Sequence, residues 1–360
     1  MSCESVGEVF DRLLTDCVQN GGSDLHLTVD RPVAFRISGE LKTVDGVCIS
    51  KDDLQAIARH ILSDSQWQLY EQDGQVDFGY TSELGYRFRA NLYRSMNQPC
   101  LALRYLSDDF LSFSELGLPE YVQGLANLKD GLVLVTGATG SGKSTTLAAL
   151  INHINRTQNR HIITIEDPVE FVYQAQKSII HQRELVTDVS SFASAVRASL
   201  REDPDVILVG ELRDRETVQA AISAAETGHL VFSTLHTNDA VGTVDRVVGF
   251  FPGEEQGIAR SRFAMCLRSV ISQKLIRLDH RNGRAAALEI MHVNKAVSNL
   301  IAMDRSKQLY SVIETSRAEG MQTMDQAFVE LVKRGAISPY RAREMASNPQ
   351  AVDKLLRLFA

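Results

Sequence analysis

Residues 137–144, Gly-Ala-Thr-Gly-Ser-Gly-Lys-Ser, fit the pattern G-x-x-x-x-G-K-[ST] and constrain the fold more than any other stretch of this 360-residue chain. Such a loop needs a buried strand leading in and a helix leading out, and the flanking sequence supplies both. Gly131-Leu-Val-Leu-Val-Thr136 is a short apolar, β-branched run, and Thr145-Thr-Leu-Ala-Ala-Leu-Ile-Asn152 has helix-forming composition. Glycines let the loop fold back and aim backbone N–H groups at phosphate oxygens, beside the positive end of the helix. The candidate phosphate-binding residues are Gly137, Ala138, Thr139, Gly140, Ser141, Gly142, Lys143, Ser144 and Thr145. Lys143 would reach the β- and γ-phosphates of ATP, and the Ser144 hydroxyl would ligate Mg2+.

The rest of the composition bounds the class. With 44% apolar and 23% charged residues, the chain reads as an ordinary globular protein long enough for two cores. A net charge of −7 argues against a dedicated nucleic-acid binder. The basic residues Arg260, Arg262, Arg268, Lys274 and Arg277, read at helical spacing, are expected to form a solvated or inter-subunit face. No apolar stretch approaches the ~18–20 residues that span a bilayer. The start, Met1-Ser-Cys-Glu-Ser, has neither a basic nor an apolar leader region. The expected location is therefore the cytoplasm, which leaves room for docking on a membrane complex. Cys3, Cys17, Cys48, Cys100 and Cys266 are scattered with no C-x-x-C pair, so they are expected to be free thiols.

Apolar periodicity divides the chain. Val6, Val9, Phe10, Leu13, Leu14 and Cys17 mark a first helix, and period-2 runs through residues 25–37, 76–80 and 86–106 mark an antiparallel sheet with helices between. Residues 1–108 are expected to form this α+β domain, and 109–127 a linker. From 128 to 294 strands alternate with helices, the pattern of a mainly parallel α/β sheet. Its candidate strands are 131–136, 161–166, 205–210, 229–234, 274–278 and 285–291. Residues 295–360 carry helical spacing throughout and are expected to form a helical subdomain.

Further chemistry clusters at strand ends. His161-Ile-Ile-Thr-Ile-Glu166 is an apolar strand ending in carboxylates, and ligands of open α/β sheets sit at the carboxyl ends of strands. Glu166 is placed to orient or deprotonate a water attacking the γ-phosphate. Asp205-Val-Ile-Leu-Val-Gly-Glu211 is a Walker B-like strand whose Glu211 would hold Mg2+ through water; Asp203 and Asp205 lie at its wrong end and read as turn residues. His229 and His236 flank another strand. No zinc spacing accompanies them, so each either senses the γ-phosphate, braces Glu211 or is simply packed. In the first domain, alternation puts Arg87, Arg89 and Asn91 on the face opposite Tyr86, Phe88 and Ala90, and Arg104 interrupts an apolar strand. Such a row either clamps phosphate bidentately or forms a salt-bridged face.

These motifs together resemble the secretion and type IV pilus ATPase superfamily, most closely its PilT-like pilus-retraction branch. The resemblance runs through Gly22-Ser-Asp-Leu-His-Leu27, Arg87-Phe-Arg-Ala-Asn91, the phosphate loop, Thr164-Ile-Glu-Asp-Pro-Val-Glu-Phe171, Val209-Gly-Glu-Leu-Arg-Asp214, Glu226-Thr-Gly-His-Leu230 to Thr234-Leu-His-Thr237, and Gly320-Met-Gln-Thr-Met-Asp-Gln326. It implies a PAS-like domain, a RecA-like domain with ATP bound between them, and a homohexameric ring on the cytoplasmic side of the inner membrane, beneath the pilus platform protein. It implies ATP hydrolysis driving pilus retraction and twitching motility, with a paralogous retraction ATPase as a further partner. It makes Glu166 the catalytic carboxylate, Glu211 the Walker B acid, and His229 and His236 the His-box pair. Arg87, Arg89 and Arg104 match the arginines that approach the phosphates.

Three departures stand out. Asn97 occupies the place of a further family arginine, which Arg94 could replace only across a change of strand face. Ser298, in Ala296-Val-Ser-Asn-Leu-Ile301, replaces the arginine of a retraction-branch motif. The four-cysteine module of the extension and secretion branches is absent from the sequence. An accessory or secretion-system ATPase and a non-hydrolysing ATP sensor are the alternative expectations.

Overall fold

A computed structural model describes residues 6–37, 39–106, 110–279 and 283–357; Cys3 and the expected domain limit at residue 108 lie outside the described residues. The chain forms two compact units. Met1–Asp109, Asp167–Val172 and Glu184–Asp188 make up the first, and Phe110–Glu166, Tyr173–Arg183 and Val189–Ala360 the second.

The first unit runs α1 (Val6–Gln19), β1 (Gly22–Thr28), β2 (Pro32–Ile37), β3 (Glu40–Cys48), α2 (Lys51–Ile61), α3 (Asp64–Asp73), β4 (Gln75–Thr81), β5 (Arg87–Ser95) and β6 (Gln98–Leu106). Its six strands lie in the order β3-β2-β1-β6-β5-β4, with every pair antiparallel. Phe10 and Leu14 of α1 and Leu54 and Ile57 of α2 bury against Leu25, Phe78, Phe88 and Leu103, so one face of the sheet is a core. Local chemistry sets the boundaries. Ser63 and Gln66 form a capping box at the start of α3, and Gly74 ends that helix with φ 76°.

The second unit continues with α4 (Glu120–Gly124), β7 (Gly131–Thr136), α5 (Lys143–Thr157), β8 (His161–Glu166), β9 (Ile179–Glu184), α6 (Phe192–Ser199), β10 (Val206–Val209), α7 (Arg215–Glu226), β11 (Leu230–Leu235), α8 (Ala240–Gly249), α9 (Gly253–Cys266), β12 (Leu267–Arg277) and β13 (Arg284–His292). The helices α10 (Lys295–Ala302), α11 (Leu309–Thr315), α12 (Met324–Lys333), α13 (Pro339–Met345) and α14 (Pro349–Arg357) close the chain. The sheet order is β13-β12-β7-β11-β10-β8-β9, with β12, β7, β11, β10 and β8 mutually parallel and β13 antiparallel at its edge. Together these make a mixed α/β fold with two sheets.

Three features differ from the sequence-based expectation. Residues expected to link the domains are folded into the second unit from Phe110 onward. Val122, Leu125 and Ala126 are buried there, and Gln158 of the same unit donates to Ala126 O. Strand β9 was not foreseen: Ile179-Ile-His-Gln-Arg-Glu184 is an edge strand and half exposed, so it lacks the apolar run of a central strand. Strand β12 begins at Leu267 rather than at 274, so Arg268 joins Lys274 and Arg277 on a strand, apart from the helix carrying Arg260 and Arg262. Its buried Ser269, Ser272 and Gln273 interrupt the apolar pattern that would have announced it.

Cys17, Cys48, Cys100 and Cys266 are free thiols. Burial pushes Cys17 up to about 11 and Cys266 up to about 12, which keeps both protonated and unreactive. Near the C-terminal helices, Asp279 accepts hydrogen bonds from the Arg341 guanidinium and the Ser338 backbone N–H. These hold its carboxyl at about 2, below its ordinary value of 3.8. A depressed carboxylate contributes stability that is present above the unfolded value and lost as pH falls through the folded one. Between pH 4 and 2 the wild type should therefore lose stability that Asp279→Asn does not, which thermal melts of both proteins across that window would read.

Candidate nucleotide site

The loop after β7 is built by glycines in left-handed conformations: Gly137 at φ 142°, Gly140 at φ 78° and Gly142 at φ 89°. At Gly137 any Cβ would lie 2.3 Å from Gln273 O and 2.6 Å from Ser141 Oγ. Gly137→Ala should cost about 1–3 kcal/mol in backbone strain. It should raise the ADP dissociation constant about tenfold or more, as titration calorimetry would show. The buried Lys143 donates from Nζ to Gly137 O at 2.8 Å and Ala138 O at 3.2 Å. Ser144 is exposed in the first turn of α5, and Ser141 Oγ is buried without a hydrogen-bond partner. An ammonium, an orphan hydroxyl and a helix N-terminus facing one glycine cradle fit a polyphosphate.

The two carboxylates share this edge of the sheet. Strand β7 pairs with β11 through Thr136 and Leu235, β11 with β10 through Ser233 and Val209, and β10 with β8 through Val209 and Ile165. Because these strands are parallel, Glu166 and Glu211 lie at the same carboxyl edge as the loop. Glu166 closes β8 three strand spacings from β7, or about 14 Å. Its Oε1 accepts from Thr164 Oγ1 at 2.6 Å and Gln182 Nε2 at 3.4 Å. Glu211 Oε2 accepts from Arg213 Nε at 2.9 Å, and His236 Nε2 lies 3.2 Å from its Oε1.

His236 thus lies against Glu211, whereas His229 is placed at the opposite edge of the sheet. His229 stands at the amino end of β11, about 20 Å along the strand from the loop edge. Its Nδ1 lies 2.9 Å from Ala224 O and 3.1 Å from Thr227 Oγ1, a local contact at the end of α7. The two histidines look equivalent in sequence, but the six-residue strand between them separates them to opposite edges. Asp203 and Asp205 lie at that same far edge, where Asp205 accepts from the His161 backbone N–H.

In the first unit Arg87, Arg89 and Asn91 alternate with buried Phe88, Ala90 and Leu92, as expected. Arg89 stands directly across from Arg104, Arg104 from Asp24, and Asp24 from Arg36. Arg104 donates from Nε to Asp24 Oδ1 at 2.8 Å and is otherwise largely exposed. Burial alone would raise the Asp24 carboxyl, but hydrogen bonds from Ser23 and Arg104 hold it below its ordinary value. Arg89 lies 3.8 Å from Glu170. Arg87 is mostly buried, and its guanidinium pairs with Glu184 at 2.7 Å. Asn97 sits in the β5–β6 turn at φ 60°, and Arg94 lies over the Tyr70 ring on the other face of β5, so neither extends the row.

Sequence reasoning missed Gln273, whose Nε2 donates to Ser141 O and whose Oε1 accepts from Thr146 Oγ1, both at 2.8 Å. This buried amide ties the phosphate loop to α5 from β12. No motif marks it, and in sequence it reads as a polar interruption of a strand.

A glycine-built loop between strand and helix, with carboxylates on the same parallel edge, is the design of a P-loop nucleotide-binding protein. Within that class, the chain belongs to the family described as Type II/IV secretion system protein, which matches residues 2–346. It is 44% identical over 344 residues to the "Twitching motility protein" of Neisseria gonorrhoeae, covering 96% of this chain and 92% of that one. It is 44% identical over 338 residues to the "Type IV pilus retractation ATPase PilT" of Pseudomonas aeruginosa, covering 94% and 98%. The crystal structure of the pilus retraction motor PilT with bound ADP matches with a TM-score of 0.87 at 43% identity, over 96% of this chain and 98% of that one.

Proposed function

We propose that this chain is a motor ATPase that couples ATP hydrolysis to retraction of a type IV pilus. One observation carries the reading. The phosphate loop, Glu166, Glu211 and His236 share one sheet edge in a chain that matches retraction proteins over nearly its whole length. ATP binds through the loop N–H groups and Lys143. Ser144 and Glu211 would hold Mg2+, which when bound neutralises phosphate charge and orients the terminal group. Glu166 positions and deprotonates the attacking water, and His236 keeps Glu211 aligned.

The first unit takes the PAS-like role and the second the RecA-like role. Arg89 and Arg104, both exposed on one face of the first unit's sheet, are the candidate guanidiniums for phosphate charge. Six copies would form a ring at the cytoplasmic face of the inner membrane, acting on the pilus platform protein, without nucleic acid. Among the described residues no helix is long and apolar enough to cross a membrane.

Ser298 favours a second reading, an accessory or secretion ATPase. Its hydroxyl donates to Ala264 O at 2.8 Å, so this position is turned inward and offers no cation. Deleting the gene separates the readings. Abundant pili without twitching support the retraction motor; a secretion ATPase leaves pili unaffected. Phosphate release from the assembled protein excludes a silent ATP sensor.

A further inference from the structure

The chain leaves the second unit immediately after Glu166. Asp167–Val172 and Glu184–Asp188 both count with the first unit, although the sequence places them inside the second domain. Glu184 is the knot that holds them there. It is 6% exposed. Its Oε2 accepts from Arg87 Nη2 at 2.7 Å and from the Val169 backbone N–H at 3.1 Å. Its Oε1 accepts from the Gly79 backbone N–H at 3.2 Å and Thr187 Oγ1 at 3.3 Å. Glu184 therefore joins β4, β5 and the segment that begins one residue after Glu166. Gly79 is shaped for this: a Cβ there would lie 2.1 Å from Arg87 Nη2, so only glycine lets the guanidinium lie across β4.

We propose that Glu184 and Arg87 form a strut that carries movement of the first unit to Glu166, and that Arg87 is a positioning residue rather than part of the phosphate clamp. A carboxylate with four donors, one of them a guanidinium, is a rigid joint. Val169 is three residues from Glu166 along the chain, so displacing the β4–β5 edge displaces the backbone that aims the water-positioning carboxylate. Catalysis is steep in such positioning, and the strut makes hydrolysis depend on the state of the first unit. This rests on the hydrolytic reading above.

The test uses Glu184→Gln, Arg87→Gln and the double variant in the assembled protein. Phosphate release against ATP concentration gives kcat and KM, and a fluorescent ADP analogue gives affinity. Each single variant should lower kcat about tenfold to a hundredfold while KM and ADP affinity stay within about twofold. The double variant should be no worse than the poorer single, because both break one joint. A raised KM in Arg87→Gln with Glu184→Gln silent returns Arg87 to the clamp and overturns the strut. Additive losses overturn it too. Wild-type protein supplies a measurement that needs no variant. Backbone hydrogen exchange at Gly79 and Val169, both held by Glu184, should change together when a non-hydrolysable ATP analogue is added; independent exchange refutes the joint. If the wild type hydrolyses nothing, the functional reading fails, and the exchange measurement still reads the strut.

Discussion

Lys143→Ala should lower ATP hydrolysis by about 10²- to 10³-fold or more. The lysine is buried, and its ammonium already donates to Gly137 O and Ala138 O, so it templates the loop as well as meeting phosphate charge. Alanine removes the cation that stabilises charge on the transferring phosphoryl group. It also takes the ammonium donor from Gly137 O and leaves Ala138 O with the Ser141 N–H. The loss should appear in kcat and in nucleotide affinity together, because the same ammonium serves bound ATP and the developing transition state. Steady-state phosphate release and an ADP titration read both. Undiminished turnover in this variant would place the chemistry elsewhere in the chain.

The second large effect separates binding from chemistry. Glu166→Gln should lower kcat by about 10²- to 10⁴-fold while ADP affinity stays within about twofold. Glutamine keeps the length and shape of the side chain, and its amide oxygen can still accept from Thr164 Oγ1. Nothing in the phosphate loop changes, so ATP still binds. What disappears is a carboxylate able to take a proton from water. Full turnover in Glu166→Gln would transfer the role to Glu211, the other carboxylate on this edge. A matching rise in KM would mean that Glu166 serves binding instead.

Much of this site was legible because its motifs are local. The run 131–136, the glycines and Lys143 form one contiguous strand–loop–helix unit, and Glu166 and Glu211 each end a short apolar run. The first unit was legible for a similar reason, since alternation along β5 puts Arg87, Arg89 and Asn91 opposite a buried face. Edge strand β9 and the start of β12 were not, because one is half exposed and the other carries buried serines and a glutamine. Segment 110–127 reads as a tether from sequence, yet Val122, Leu125 and Ala126 are buried in the second unit.

Sequence alone picked out the candidate phosphate loop, since that motif depends on neighbours within a dozen positions. Tertiary structure alone decided what surrounds it. Parallel pairing brought Glu166, Glu211 and His236 to the loop edge and sent His229 to the other end of its strand. Glu184 pairs with Arg87 and Asp24 with Arg104, and alternation along the strands announces neither pairing. Periodicity reports which face of an element a side chain leaves from. It carries no information about which distant charge waits on that face.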